Sequence, residues 1–211
     1  GQHLPGTREW VFEAVLRWRT DADSAKLFWL VGGGGTGKSV AAAELLARLL
    51  DKENAAAWHF CKHTEPARSA PAVLLRSLAG MLCATVKSFE DELRTNKTLT
   101  NKINEINAQY ESHKEENEER GRLTEERRRL VEKLERVKAV TTGAAPAGIS
   151  ELFKVLIAEP LQNIVAPRGA DDALVLIIDA LDELPRDALQ PVLSLLATEL
   201  KTLPPWIKLV V

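Results

Sequence analysis

Residues 27–39 of the chain read LFWLVGGGGTGKS, an apolar run followed by a glycine-rich turn. The apolar residues 27–31 are too few for a buried helix and end at glycine, so they predict a buried strand. Residues 38–50 are rich in Ala and Leu and predict a helix. The order of strand, glycine-rich turn and helix, with the spacing G-x-x-x-x-G-K-S/T, predicts a phosphate-binding loop of the Walker A type at residues 32–39.

Each residue type in this loop suits the binding of a phosphate group. Glycines allow backbone conformations that a side chain forbids, and the following helix directs free N–H groups and the positive end of its dipole at the anion. Lys38 is predicted to reach the β- and γ-phosphates, and the Ser39 hydroxyl to bind Mg²⁺. The predicted nucleotide-binding residues of the loop are Gly32, Gly33, Gly34, Gly35, Thr36, Gly37, Lys38, Ser39 and Val40.

A second apolar run ends in carboxylates, because residues 174–183 read LVLIIDALDE. The carboxyl end of a parallel strand is where open α/β sheets place their ligands. Asp179 is therefore predicted to bind Mg²⁺ opposite Ser39, as in a Walker B arrangement. Asp182 or Glu183 would orient or deprotonate the attacking water, although both also suit the first turn of a following helix. The predicted catalytic residues are Asp182, Glu183 and Lys38.

Short apolar runs alternate with amphipathic stretches over most of the chain, with further strands expected at 56–63, 174–178 and 207–211. This alternation predicts an α/β fold, namely a P-loop NTPase core of three layers, α/β/α, around a mainly parallel sheet. Residues 1–87 are predicted to form the first part of this core and residues 144–211 the second part, which ends after the fourth strand.

Residues 88–143 are expected to form a helical insertion between the two parts of the core. Within the window 88–140, 12 basic and 13 acidic residues fall among 53 positions. Apolar residues at 99, 103, 106 and again at 130, 134 and 137 keep the spacing of a coiled-coil seam. Two alternatives remain open from the sequence: an antiparallel hairpin that turns near Gly121, and a single long helix that pairs with an outside partner.

The composition excludes several classes of protein and favours one compartment. A net charge of −2 argues against a protein that binds the nucleic-acid backbone. No apolar run approaches the roughly 20 residues that span a membrane, and no secretory signal is visible. Two cysteines cannot form a disulfide scaffold, so a cytoplasmic location is expected. The absence of an initiator Met leads us to expect a longer parent protein.

The acidic pattern resembles that of the NACHT group of signal-transduction P-loop NTPases, in which a small residue such as Ala180 follows the Mg²⁺-binding Asp179. Residues 4–10, LPGTREW, resemble the motif that precedes the phosphate loop in that group and imply a contribution to the adenine pocket. Arg8 is accordingly a candidate nucleotide contact, with a surface ion pair as the alternative. Residues 58–61, 67–69 and 74–78 resemble the nephrocystin-type branch. The resemblance covers about 1–86 and 148–211 but not the charged window.

The resemblance implies Mg²⁺ and ATP, dATP or ADP as the bound groups, and a strand at residue 207 that lies between the strands leading to Lys38 and Asp179. It also implies a nucleotide-dependent signalling and oligomerisation switch with slow hydrolysis, which self-associates through the NTPase domain. Two alternatives are a turnover ATPase of the AAA+ kind and a non-enzymatic scaffold that binds a protein partner through the helical insertion. The motif alone does not distinguish ATP from GTP.

Overall fold

The computed structural model describes residues 8–62, 64–65, 70–112, 118–166, 169 and 172–211. The chain divides into two compact units, of which the first comprises Gly1–Lys87 with Val165–Val211 and the second Ser88–Ile164. All strands of the described residues belong to the first unit. None of the described helices is long and apolar enough to cross a membrane.

The first unit is built on a four-stranded sheet in which all neighbouring strands are parallel. The strands are β1 (Leu27–Phe28), β2 (Ala55–Phe60), β3 (Leu174–Asp179) and β4 (Ile207–Val210), in the spatial order β1-β4-β3-β2. Every residue of β3 is buried, as expected of a parallel strand that is covered on both faces. The predicted α/β fold with a parallel sheet is therefore confirmed, and β4 lies between β1 and β3 as expected.

Nine helices follow in chain order through the described residues of the two units. They are α1 (Glu9–Thr20), α2 (Lys38–Asp51), α3 (Pro71–Thr85), α4 (Phe89–Thr95), α5 (Lys97–Ser112), α6 (Glu118–Thr142), α7 (Ile149–Phe153), α8 (Glu159–Asn163) and α9 (Arg186–Glu199). A π-helical turn, Lys154–Ala158, joins α7 to α8, and short 3₁₀ turns cover Leu181–Glu183 and Leu200–Thr202. Helices α1, α2, α3 and α9 belong to the first unit, and α4 to α8 to the second.

One apolar cluster joins α1 and α2 to the sheet. Phe12 and Val15 of α1 recur at helical spacing, as do Leu45 and Leu49 of α2, so each helix presents a single apolar stripe. The strand residues of the cluster are Ala55, Val175, Ile177 and Val210. Because one cluster holds all of these residues, the helices that flank the predicted phosphate loop are fixed to the same part of the sheet.

In the second unit, α5 and α6 form an antiparallel pair. Leu99 and Ile103 of α5 share an apolar cluster with Leu134 of α6. Nearer the end of α5, the Arg127 side chain donates to Asn107 at 2.7 Å, and the Arg120 guanidinium lies 4.2 Å from the centre of the Tyr110 ring. The contacts run in opposite directions along the two helices, so the two halves of the seam pair within one chain.

The sequence predicts the turn of this hairpin near Gly121, but Gly121 itself is helical. Gly121 lies inside α6, which begins at Glu118, and the residues that connect α5 to α6 lie outside the described residues. A glycine inside a helix costs only about 1 kcal/mol. The packing of α6 along α5 and ion pairs such as Arg128 with Glu125 and Glu132 offset a cost of that size.

The second unit is also longer than the predicted insertion, because it continues from 143 to Ile164. Arg136 of α6 donates to both carboxylate oxygens of Glu151 at 2.7 and 2.8 Å, and Lys133 donates to Glu159 at 3.1 Å. Helices α7 and α8 thus contact α6, although residues 144–164 were predicted to belong to the sheet core. Their apolar residues look the same in the sequence whichever partner they bury against.

The carboxyl-terminal end of α1 is held by a buried lysine from β4. The ammonium of Lys208 donates to the carbonyls of Trp18 at 2.7 Å and Asp21 at 2.5 Å, and to the Ser24 hydroxyl at 2.6 Å. Burial lowers the pKa of Lys208, and the three acceptors replace the water that the ammonium loses. A cation at the end of a helix also interacts favourably with the helix dipole.

We expect Lys208→Met to lower the free energy of unfolding by about 1–3 kcal/mol, because it removes these hydrogen bonds and the charge at the helix end. Lys201→Met is the matched control, since Lys201 is exposed in a short turn, and it should change stability by less than about 0.5 kcal/mol. Urea unfolding of the three proteins measures the difference. Equal losses for both variants would contradict a structural role for Lys208.

Candidate functional site

The predicted phosphate loop lies between β1 and α2. β1 is shorter than predicted and ends at Phe28, but the chain beyond it stays beside β4. The Leu30 N–H donates to the Val211 carbonyl at 2.7 Å, and the Val211 N–H donates to the Phe28 carbonyl at 3.0 Å. These bonds fix the start of the loop at the carboxyl edge of the sheet, which is also where β3 ends.

The loop is closed by a turn and by two glycines in the left-handed region. The backbone φ angle is 74° at Gly35 and 79° at Gly37, conformations that favour glycine. The Thr36 hydroxyl donates to the Gly33 carbonyl at 2.8 Å, and the Thr36 N–H points at the same oxygen at 3.5 Å. Gly37 is the N-cap of α2, so the loop leads directly into the helix.

Two cations bind the carbonyl groups of the loop. The Lys38 ammonium donates to the carbonyls of Gly32 at 2.8 Å and Gly33 at 3.2 Å. The Arg8 guanidinium donates to the Gly37 carbonyl at 2.8 Å and also to the Thr36 carbonyl.

Several backbone N–H groups of the loop, unlike the carbonyls bound by Lys38 and Arg8, have no hydrogen-bond partner among the described residues. Those of Gly34, Gly35 and Gly37 donate to no acceptor among the described residues. Lys38 and Ser39 begin α2, where the first helical N–H groups also lack partners within the helix. The loop therefore combines occupied carbonyls with available donors and the positive end of a helix, which is an arrangement that suits an anion.

A cavity of about 210 Å³ lies beside the loop in the first unit. Lys38, Asp179 and Asp182 line it together with apolar residues, among them Leu45, Ile177 and Val210. Asp179 ends β3, and its side chain has no hydrogen-bond or ion-pair partner among the described residues although the residue is only 9% exposed. A nearly buried carboxylate is costly without a partner, so this position suits a cation.

The turn after β3 brings Asp182 to the cavity. Ala180 has a φ angle of 59°, in the left-handed region, and leads into the 3₁₀ turn Leu181–Glu183. Helix α9 begins only at Arg186 and has Pro185 as its N-cap, so neither Asp182 nor Glu183 lies in its first turn. Of the predicted catalytic residues, the cavity lining includes Lys38 and Asp182 but not Glu183.

Ser39 and Val40, the last two residues predicted to bind nucleotide, lie in the first turn of α2. Ser39 is exposed, Val40 is half-buried, and neither belongs to the lining of the cavity. No cluster of three or more His, Cys, Asp or Glu suitable for a metal occurs within the described residues. One or two carboxylates are nevertheless enough for Mg²⁺ when a phosphate supplies the other ligands.

A second concavity, of about 180 Å³, also has Lys38 in its lining. Arg8 and Trp10 line it together with Leu30, Val31 and the loop. Trp10 is 72% exposed and Val31 is 79% exposed. The sequence pointed to residues 4–10 as a group, of which 4–7 lie outside the described residues. It did not indicate Val31, because an apolar residue at the end of a predicted strand is expected in the core.

The family comparison covers the same region of the chain. The sequence profile described as nephrocystin 3, N-terminal, matches residues 6–136, which is more than half of the chain. The chain belongs to this family. No match was found among curated proteins or among solved structures.

The match to the nephrocystin 3 N-terminal family contains Arg8 and the whole phosphate loop, but it ends before the acidic residues 179–183. It also continues through the charged window as far as 136. The expectation that the resemblance skips this window was therefore wrong, because the match includes α6 as far as residue 136. The charged window did not indicate the family by itself, because many unrelated helices have the same spacing of apolar and charged residues.

Gly37 offers a direct test of the loop geometry. An added Cβ at Gly37 would lie 2.9 and 3.0 Å from the two terminal nitrogens of Arg8, and the positive φ would strain any other residue. We expect Gly37→Ala to lower the free energy of unfolding by about 1–2 kcal/mol. The control is Gly34→Ala, where an added Cβ meets nothing within 4 Å. Urea unfolding that shows equal effects for the two variants would contradict this loop conformation.

Proposed function

We propose that the first unit is a P-loop NTPase domain of the NACHT type, which binds Mg²⁺ and ATP, or dATP and ADP, at residues 32–39. One observation supports this proposal above the others: Lys38 belongs to the loop and also lines the cavity that holds Asp179 and Asp182. A phosphate-binding loop, a cation and two carboxylates then meet in one concave site. This combination is what phosphoryl chemistry requires.

The loop residues would hold the phosphates through the backbone. The N–H groups of Gly34, Gly35 and Gly37 and the first turn of α2 supply donors, and the dipole of α2 favours negative charge. The Lys38 ammonium has three N–H donors, of which two bind loop carbonyls. Its third donor and its charge are suited to a phosphate oxygen.

The oxygen donors of Asp179 and Ser39 match the chemistry that Mg²⁺ prefers. A bound Mg²⁺ would supply charge neutralisation for the phosphate oxygens. Asp179 is the better placed of the two residues, because it lines the cavity, whereas Ser39 is exposed in the first turn of α2 and does not line it. Asp179 is the last residue of a buried strand, so its position is fixed by the sheet.

Asp182 is the favoured residue for orienting or deprotonating a water, with Glu183 as the second candidate. Asp182 lines the cavity and is exposed to solvent, whereas Glu183 is half-buried. An AAA+ turnover ATPase would carry Glu at position 180. This chain has Ala180 at that position, in a left-handed backbone conformation that strains any residue with a Cβ, alanine included. The absence of a carboxylate at position 180 therefore favours slow, regulatory hydrolysis over rapid turnover.

The choice of ATP over GTP and self-association through the NTPase domain belong to this proposal through the NACHT resemblance. The cytoplasmic location belongs to it through the low cysteine content. A non-enzymatic scaffold is the second candidate. The observation that favours it is the separate second unit, whose antiparallel helices present charged surfaces to a protein partner. Nucleotide binding distinguishes the two functions, because a scaffold does not need an intact phosphate loop.

Lys38→Ala should weaken the binding of a fluorescent ATP analogue with Mg²⁺ by about 1.5–3 kcal/mol, the scale of a lost charge-assisted contact. Lys52→Ala removes one positive charge from the opposite end of the same helix, where Lys52 is exposed. This control should bind within about twofold of the wild type. Equal affinities for Lys38→Ala and the wild type, or no binding by either, would contradict the assignment and favour the scaffold.

The acidic residues are expected to separate binding from hydrolysis. Asp179→Asn should weaken the part of the affinity that depends on Mg²⁺, because it removes the charge on the metal side. Asp182→Asn should keep that affinity and lower turnover by roughly 10²–10⁴-fold, the scale of a lost general base, and Glu183→Gln should have a smaller effect.

Affinity with and without Mg²⁺, together with phosphate release, measures both effects. Asp187→Asn is a matched control, because Asp187 is exposed in the first turn of α9 and does not line the cavity. If neither Asp182→Asn nor Glu183→Gln lowers turnover, the catalytic assignment of this pair is wrong. The binding assignment would then stand on Lys38 and Asp179 alone.

A further inference from the structure

We propose that Arg8 is a positioning residue, which orients the backbone N–H groups of Gly37 and Lys38 toward the phosphates by binding the carbonyls on the opposite side of the loop. This inference rests on the proposed nucleotide site. It assigns Arg8 a role that acts through the loop, in place of the direct contact with nucleotide that the sequence suggested.

The argument begins with the geometry of the peptide group. A trans peptide is planar, so its N–H points away from its C=O. The Thr36 carbonyl shares a peptide with the Gly37 N–H, and the Gly37 carbonyl shares one with the Lys38 N–H. Arg8 donates to both carbonyls, at 2.8 Å for Gly37. Both N–H groups therefore point away from Arg8. The Gly37 carbonyl also accepts the first hydrogen bond of α2, from the Ala41 N–H at 3.0 Å, so Arg8 and the helix hold the Lys38 N–H in the same direction.

Two successive N–H groups held in one direction form a concavity for an anion. The Gly37 N–H donates to no acceptor among the described residues, and the Lys38 N–H begins the helix. A guanidinium with a fixed fork of donors suits two consecutive carbonyls, because it binds both without a change of rotamer. Arg8 therefore adds order to the loop in addition to its charge.

The residue type at position 37 is compatible with this contact. The terminal nitrogens of Arg8 lie where a Cβ at position 37 would come within 2.9 and 3.0 Å of them. A glycine at this position thus permits both the positive φ and the close approach of the guanidinium. The close approach of the Arg8 guanidinium therefore depends on a glycine at position 37, whereas an ion pair at the surface would not depend on it.

The backbone next to Arg8 is fixed by Glu9, which binds α2. Glu9 receives two hydrogen bonds from Arg48 of α2, at 2.7 and 2.9 Å. Arg48 also donates to Glu44 at 2.8 Å, and its guanidinium lies 4.1 Å from the centre of the Phe12 ring. Hydrogen bonds from Arg48 to Glu9 and Glu44 raise the pKa of Arg48 above its usual value. The start of α1 is therefore anchored to α2, while Arg8 binds the loop that precedes α2.

A lysine can perform the same task, as another part of this chain shows. The Lys26 ammonium donates to two consecutive carbonyls, those of Leu203 at 2.5 Å and Pro204 at 2.6 Å. Arg8→Lys should therefore restore much of the function that Arg8→Met removes. Arg17→Met is the matched control, since Arg17 is an exposed arginine of α1, the helix that follows Arg8.

The first measurement is the affinity for a fluorescent ATP analogue with Mg²⁺ and, by competition, for inorganic tripolyphosphate. Arg8→Met should weaken both by about tenfold, Arg8→Lys should remain within about threefold of the wild type, and Arg17→Met should remain within about twofold. Tripolyphosphate has no base, so a loss confined to the ATP analogue would overturn the proposal and assign Arg8 to the base. Unchanged affinity for both probes would also overturn it.

The second measurement uses the protein without nucleotide and judges Arg8 separately from the proposed function. The amide ¹H–¹⁵N signals of Gly37 and Lys38 should move in Arg8→Met, return toward their wild-type positions in Arg8→Lys, and remain in place in Arg17→Met. If these signals do not respond to Arg8→Met, the contact is absent and the proposal fails. If they respond but the wild type binds no triphosphate, the nucleotide assignment fails while the orienting contact stands.

Discussion

The candidate site depends on one constraint, the hydrogen bonding of β4 between β1 and β3. Because all these strands are parallel, their carboxyl ends lie at the same edge of the sheet. The loop that follows β1 and the carboxylate that ends β3 are thereby held on either side of β4. Residues 38 and 179, which are far apart in the chain, share one cavity for this reason.

Electrostatics then decide which groups of the loop face a ligand. Backbone carbonyls and N–H groups occur in equal numbers, and a loop with random orientation would present both to an anion. Here the carbonyls of Gly32, Gly33, Thr36 and Gly37 are bound by Lys38 and Arg8. The remaining donors give the loop a net preference for negative charge, which glycine content alone does not produce.

The sequence predicted those parts of the structure that follow from local patterns. The helix at Lys38 and the buried strand that ends at Asp179 are present, because each is determined by its own residues. The prediction of a buried strand at 27–31 was wrong, because β1 is a two-residue, half-buried strand at the edge of the sheet. The interaction of Arg8 with the carbonyls at 36 and 37 could not be predicted, because it joins positions 28 and 29 residues apart.

Two sequence predictions failed for related physical reasons. Gly121 suggested a turn, but the helix tolerates it because packing and ion pairs along α6 exceed the propensity cost. Residues 144–164 were predicted to belong to the sheet core, but an amphipathic pattern does not identify the partner against which the apolar side packs. The catalytic roles of Asp182 and Glu183 remain a prediction. The cavity lining includes Asp182 but not Glu183.

The fastening of α1 at both ends has a mechanical consequence. Its first residues hold α2 and the loop, and its last carbonyls are held by Lys208 of β4. A helix of this length is a stiff rod of about 18 Å. A movement of β4 along the sheet would therefore displace α1 as a unit. Through Arg8 and Glu9 at the start of the helix, the same movement would shift the phosphate loop.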